Sequence, residues 1–357
     1  MPPISPPERF AGLLVERAQT WPIKGLIPPP PMSPWIAASL LQKAIRRGDV
    51  PPTQLAVSSL MMTDPTRFWR RLGVIAFEDI GLANLPLVGQ VTIAQRGKTF
   101  RRGFGGEARV AMGLATDLAR SAKNRAADDL LCVLTDHPMI AGLTQKLAAM
   151  SERQLLGVVA GCGDTTTRCV AADMFAVNCN SPLHKVAARL TYALGVAPSV
   201  SWLVIEGWTR TRTMLPLLVG LLTQENGLRQ PNPDDQMPDE VEIAGIPGWA
   251  LDMFTREGKA AIRRLMAGKS DVARYARVTF PYAGRTRLLG EAVFRVESGL
   301  LRNRLDGQKG QRLRSQMERE CLGIEIEKAD RLLKLMRDAI PELNACRIEI
   351  MEGQRND

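Results

Sequence analysis

The chain has 357 residues, 45% of them hydrophobic and 24% charged, a composition that excludes wholesale disorder and predicts one large or two medium domains. Forty-seven Lys and Arg against 37 Asp and Glu leave a net charge of +10, a field that attracts phosphate polymers, although anionic lipid, acidic proteins or plain solubility account for the same excess. Only 5% of residues are aromatic, so the core must be filled by Leu, Ala, Val, Ile and the 15 Met. That mixture suits helix-on-helix packing, and the expected fold class is all-α with little strand.

In chain order, residues 1–34 hold ten Pro and read as an extended arm with a short helix at 8–19. From Pro34 the spacing of Ile36, Leu40, Leu41 and Ile45 predicts a helix, with Ser33 as N-cap and Gly48 as its end. Residues 51–86 read as two helices parted at Thr63-Asp64-Pro65, with Phe68, Leu72, Ile75 and Ala76 facing inward on the second. A helix over 85–96 is followed by a loop, 96–106, carrying four cations and four Gly. Helical periodicity over 107–160 breaks at His137-Pro138 and near Ser151; a loop and a helix cover 162–179, and Pro182 opens another helix through Leu194.

Residues 202–222 predict two short buried helices with an exposed cationic corner at 208–213. The stretch 224–245, with three Pro and an acidic cluster, reads as a linker between a helical domain at 35–223 and a C-terminal helical region at 246–357. That region holds helices over 249–266, 271–276, 284–304 and 311–338, with an extended piece at 278–282. The stripe Leu322, Ile326, Leu332, Leu333 and Met336 packs on its own chain by default or forms an oligomer seam.

Six scattered Cys read as thiols in a reducing cytoplasm. The N-terminus lacks the pattern of a signal peptide, and no stretch of about 18 apolar residues occurs, so the expected location is cytoplasmic, without a membrane partner.

Residues 39–83 carry a Ser-x-Leu-x-Lys-Ala-Ile-Arg string at Ser39 to Arg46, a Gly48-Asp49 turn, Asp64-Pro65, and Arg-Arg-Leu-x-x-Ile-Ala-x-Glu-Asp-Ile-Gly from Arg70 to Gly81. In order and gaps this resembles the start of the post-ATPase region of the RarA/MgsA family of replication-associated recombination ATPases, AAA+ relatives of clamp loaders. A second piece, from Gly245 to Met266, is similar to the Ala-Leu-Asp-x-His-Thr-x-x-Gly string of such regions, with Phe254 in place of the His. The resemblance implies a helical collar used for oligomer assembly, joined to a DNA-associated helical domain; a partner ATPase supplied by another chain would explain a collar without its motor. Lys98-Thr99 follows Gly97 as in a phosphate loop, yet the first Gly of that motif is replaced by Thr92, and the 38 residues before the resemblance are too few for a nucleotide-binding domain. ATP hydrolysis by this chain alone is therefore not expected, and no cofactor is.

Glu78 and Asp79, seven residues on from Arg71, read as one end of a helix-face ion pair rather than as an acid–base pair. Cys162, Cys169, Cys179 and His184 lack the close pairing of a zinc site. His137 reads as a hydrogen-bonded structural residue.

The residues expected to meet phosphates are Lys43, Arg46 and Arg47 at a helix end, Arg96, Lys98, Arg101 and Arg102 among the glycines, Arg210 and Arg212 beside Trp208, and Arg263 and Arg264 in the second half. The expected function is that of a non-catalytic bacterial DNA-binding accessory in replication, repair or recombination. A protein-interaction scaffold of a mobile element or phage, and a nucleic-acid enzyme using Glu78, Asp79 or Asp252, are the alternatives.

Overall fold

The computed structural model describes residues 4–22 and 26–356. Among them are 20 α-helices, numbered in chain order, and one hairpin of two-residue strands at Glu242–Ile243 and Ile246–Pro247. The fold is all-α. No helix among the described residues is long and apolar enough to cross a membrane.

The chain alternates between two compact units. Unit 1 takes residues 1–25, 69–233 and 303–323; unit 2 takes 26–68, 234–302 and 324–357. The stretch expected to act as a linker, 224–245, is divided between them after Pro233.

In unit 1, α14 (Leu215–Leu222) is apolar all round and wholly buried, as a central helix must be. The arm predicted at the N-terminus supplies α1 (Pro6–Thr20), which packs on α5 (Leu85–Ala94). Phe10 fits there because Gly89 has no side chain: a Cβ would lie 2.2 Å from the ring. Trp21 sits against Gly113 in the same way and donates from Nε1 to Asp117 at 2.9 Å, while Arg17 forks onto both oxygens of that carboxylate.

The helix continuing from α4 (Pro65–Ile75) widens into a π-turn at Ala76–Ile80. This extra residue shifts the helical phase, so the pairing expected from the Arg71–Glu78 spacing does not decide the partner. The carboxylates meet Arg125 instead. Helix α7 (Glu107–Arg120) stops at Ser121, and residues 121–125 cross the unit as buried irregular chain before α8 (Ala126–Asp136) begins. Asn124 holds that crossing: its Nδ2 donates to Leu228 O at 2.6 Å and Leu305 O at 2.7 Å.

In unit 2, α2 (Pro34–Arg47) starts and ends where the local signals place it. Ser33 Oγ accepts from the Ile36 amide at 3.3 Å, and Gly48 adopts φ 75°, a left-handed conformation open to glycine at little cost. It pairs with α3 (Val50–Thr63). The second half of the unit is a bundle of α15 (Arg256–Ala267), α16 (Asp271–Thr279), α17 (Arg285–Val293), α19 (Ile326–Asp338) and α20 (Ile340–Asn356). Their shared core contains Ile262, Leu265, Val272, Leu289, Leu332 and Met336. Leu332 and Met336, two members of the stripe weighed as an oligomer seam, are thus covered by their own chain. The piece expected to be extended at 278–282 instead begins as the last turn of α16.

Candidate nucleic-acid interface

The eleven cations expected to meet phosphates have different fates. Lys43, Arg46 and Arg47 are buried inside unit 2, which removes them from any phosphate surface. Lys43 donates to Ser39 Oγ and lies 2.9 Å from Asp252, a carboxylate with no exposed surface. Ser39 in turn donates to Ala250 O at 2.6 Å.

Arg46 donates to Ser298 O at 3.0 Å and covers the Phe294 ring. Arg47 donates to Glu297 O at 2.8 Å and lies over Trp249; burial pulls its pKa down to about 10. The helix-end placement suited cations in the sequence, but its end is covered by the chain at 249–298 and the charges are spent there. This seam also joins the two segments that carry the family resemblance, Ser39 to Arg46 and Ala250 to Asp252.

Arg101 is likewise buried, donating to Ala94 O at 2.9 Å and to Glu107, with Trp69 beneath its guanidinium at 4.0 Å. Arg210 is held by Glu206 at 2.8 Å and by Gln95 O at 3.1 Å. Trp208 is buried and offers no face to a base. Arg264 is exposed but paired with Glu349.

Arg96, Lys98, Arg102, Arg212 and Arg263 remain exposed. The Arg210–Gln95 bond brings the corner at 208–213 beside the segment that begins at Arg96, so two basic stretches of unit 1 adjoin. The glycine-rich loop there is partly helical, with a short helix α6 over Lys98–Arg102, and Lys98 lies 4.0 Å from Glu107.

A further cationic feature lies in unit 2, and of its arginines only Arg263 was among the residues expected to meet phosphates. A hollow of about 720 Å³ is lined by Arg263, Arg277, Arg285 and Arg287 together with Met266, Ala267, Tyr282, Gly284 and Thr286. None of these is acidic.

Two of the arginines are fixed by the ends of neighbouring helices. Arg277 Nη1 donates to Met266 O at 2.7 Å and Gly268 O at 2.8 Å, satisfying carbonyls at the end of α15. Arg285 Nε donates to Phe280 O at 2.7 Å and its Nη2 to Arg277 O at 2.8 Å, doing the same for α16. The helix-end carbonyls hold each guanidinium in place without neutralising it.

Arg263 on α15 and Arg287 on α17 are exposed and make no hydrogen bond or ion pair among the described residues. Gly284 precedes α17 at φ 96°, which lets the chain turn sharply from Tyr282 into the helix. Arg277, Arg285 and Arg287 are not among the residues the sequence singles out for phosphate, because nothing local gathers them.

The carboxylates considered for catalysis are all engaged by buried cations. Arg125 bonds Glu78 at 3.1 Å, Asp79 and Asp128, and Lys43 holds Asp252. Burial works against the Arg125 charge, but Asp128, Asp79 and Glu78 outweigh it and hold the guanidinium firmly protonated. Burial pushes neighbouring Asp129 up to about 7 and drives the Cys132 thiol well above its ordinary range.

His137 Nδ1 accepts from the Met139 amide at 3.2 Å, so Nε2 carries the proton toward Glu320, 2.7 Å away, a structural arrangement. Cys169 and Cys179 are buried thiols, and among the described residues no three His, Cys, Asp or Glu side chains gather as a metal-binding set. No protein-family model, curated protein or solved structure matches this chain.

Proposed function

We propose that this chain binds nucleic acid without transforming it, through the arginine hollow of unit 2, and serves as an accessory in DNA replication, repair or recombination. The observation that carries the reading is the imbalance at the hollow: four guanidiniums, two of them locked onto helix ends, and no carboxylate among the described residues that line it. A concave, uncompensated cationic surface lowers its free energy by taking up an anion, and phosphate is the anion whose geometry a guanidinium fork matches. The +10 net charge adds long-range attraction for a polyanion.

The exposed cations of unit 1 at Arg96, Lys98, Arg102 and Arg212 supply a second, weaker contact. The partial resemblance to the post-ATPase region of RarA/MgsA proteins supports the biological setting, with an AAA+ ATPase in trans and self-assembly as parts of the same proposal.

The test is fluorescence anisotropy of a labelled oligonucleotide titrated with the full chain at several salt concentrations. Binding that weakens as salt rises, with a slope reporting several neutralised phosphates, is the expected result. An oligonucleotide that is not retained even at low salt ends the proposal.

A further inference from the structure

We infer that the hollow takes the phosphorylated end of a single nucleic-acid strand rather than a stretch of internal backbone, an inference that rests on the nucleic-acid reading above. An internal phosphodiester carries one charge and is followed by another a few ångströms on, so a surface that tracks backbone spreads its cations in a row. A terminal phosphomonoester concentrates about 1.5 to 2 negative charges and three acceptor oxygens at one point. Arg263, Arg277, Arg285 and Arg287 converge on one hollow, which matches the second pattern.

A row exists as well, and it leads there. The exposed residues Arg256, Lys259 and Arg263 recur at helical spacing along α15, whose opposite face carries the buried Ala261, Ile262 and Leu265. From Arg256 to Arg263 the stripe spans about 10 Å at the helical rise, enough for a short run of successive phosphates. The stripe therefore tracks backbone and the hollow receives the terminus.

Tyr282 supplies the selectivity for an unpaired end. Its side chain lines the hollow, is 88% exposed, and has the Arg285 guanidinium 5.8 Å from its ring centroid. An aromatic ring left in solvent beside fixed cations is a platform for a base, and an unpaired base can swing out to lay its face on the ring where a paired base is held in its stack. Thr286, on the same wall, adds a hydroxyl donor for a phosphate oxygen.

The experiment uses the full chain with one internally labelled 12-nucleotide single strand carrying a 5′-phosphate, a 3′-phosphate or hydroxyl at both ends, and with a blunt duplex of the same sequence. The expected result is that one phosphorylated form binds about tenfold more tightly than the hydroxyl-ended strand, the order expected of a lost charge-assisted bond. The preferred form identifies which end is taken. The preference should vanish in R263A/R287A, whose changes lie on solvent-exposed positions, and affinity for the preferred strand should fall about five- to tenfold in Y282A, as for a lost stacking contact.

Equal affinity for phosphorylated and hydroxyl-ended strands overturns the inference while leaving nucleic-acid binding in place. Duplex binding as tight as that of the preferred strand, or an unaltered preference in R263A/R287A, overturns it too. If no strand binds at all, both readings fall, and a deoxynucleoside monophosphate that still binds would mark the hollow as a small-molecule phosphate site instead.

Discussion

The Arg125 cluster of unit 1 and the arginine hollow of unit 2 are opposite imbalances of charge, resolved in opposite ways. Arg125 is buried among Glu78, Asp79, Asp128 and Asp129, more carboxylates than one guanidinium neutralises, with Arg314 as a further cation acting on Asp129. Asp129 lessens that excess by taking a proton: burial pushes it up to about 7. The hollow has the reverse excess, and arginine cannot shed its proton near neutral pH. It stays charged and open, and only an anion from solution can complete it. Enclosure with a titratable partner gives structure; exposure with a permanent charge leaves the surface we propose for phosphate.

The comparison breaks most visibly if the Arg125 side is not structural. Arg125→Met leaves Glu78, Asp79 and Asp128 buried or half-buried without their shared cation, and a loss of about 3–5 kcal/mol is expected from removing the cation they share. Chemical denaturation measures it. A variant that unfolds at the wild-type midpoint would mean the cluster is solvated and the contrast with the hollow is false.

Asp129→Asn sharpens the same side through pH. The folded carboxyl titrates near 7 and the unfolded one near 3.8, so the native state binds more protons between those values. Its contribution is fully present below about pH 4 and is lost as pH rises through 7, at up to about 1.4 kcal/mol per pH unit. Denaturation midpoints of the wild type should therefore carry a declining component between pH 5 and 7 that the Asn variant lacks. Identical pH profiles for the two proteins would show that Asp129 is ionised in the folded state.

For the hollow, R263E/R287E should weaken oligonucleotide binding at least tenfold, about 1.4 kcal/mol or more, and shorten the salt slope by one to two ions. Stability should change by no more than about 0.5 kcal/mol, because both residues are exposed and unpaired. Anisotropy and a denaturation curve on the same preparation separate the two effects. Intact binding in a folded double variant refutes the assignment.

How much of this the sequence discloses depends on whether the signal is local. The ends of α2 are legible because Ser33, Pro34 and Gly48 act within one turn, and the inward face Phe68, Leu72, Ile75 and Ala76 is legible from period alone. The break at 121–125 has no Gly or Pro to announce it; Asn124 makes it through carbonyls at 228 and 305. Charge is the least local property of all. Lys43, Arg46 and Arg47 look in sequence like the cations of α15, yet Asp252, Glu297 O and Ser298 O arrive from elsewhere in the chain to absorb them. The hollow is hidden for the converse reason, since Arg263, Arg277, Arg285 and Arg287 share no period and are gathered only by the packing of α15, α16 and α17 on one core.

The smallest effect is expected at the basic edge of unit 1, and it decides between the two exposed groups of cations. Arg96, Lys98 and Arg102 are exposed like Arg263, but they lie on and beside a one-turn helix, Lys98 has Glu107 4.0 Å away, and Arg101 among them is already spent on that same carboxylate. Solvent and salt screen such charges strongly, with a Debye length near 8 Å at physiological ionic strength. Reversing all three, as R96E/K98E/R102E, should cost less than about fivefold in affinity, under roughly 1 kcal/mol. The loss should be largest at low salt and shrink as salt rises, because long-range attraction is removed rather than a fixed contact. Titrations at 50 and 300 mM salt, set beside R263E/R287E, make the ranking explicit. A larger loss at this edge than at the hollow would move the phosphate contact to unit 1, and the anchored guanidiniums of Arg277 and Arg285 would then be helix-end caps and nothing more.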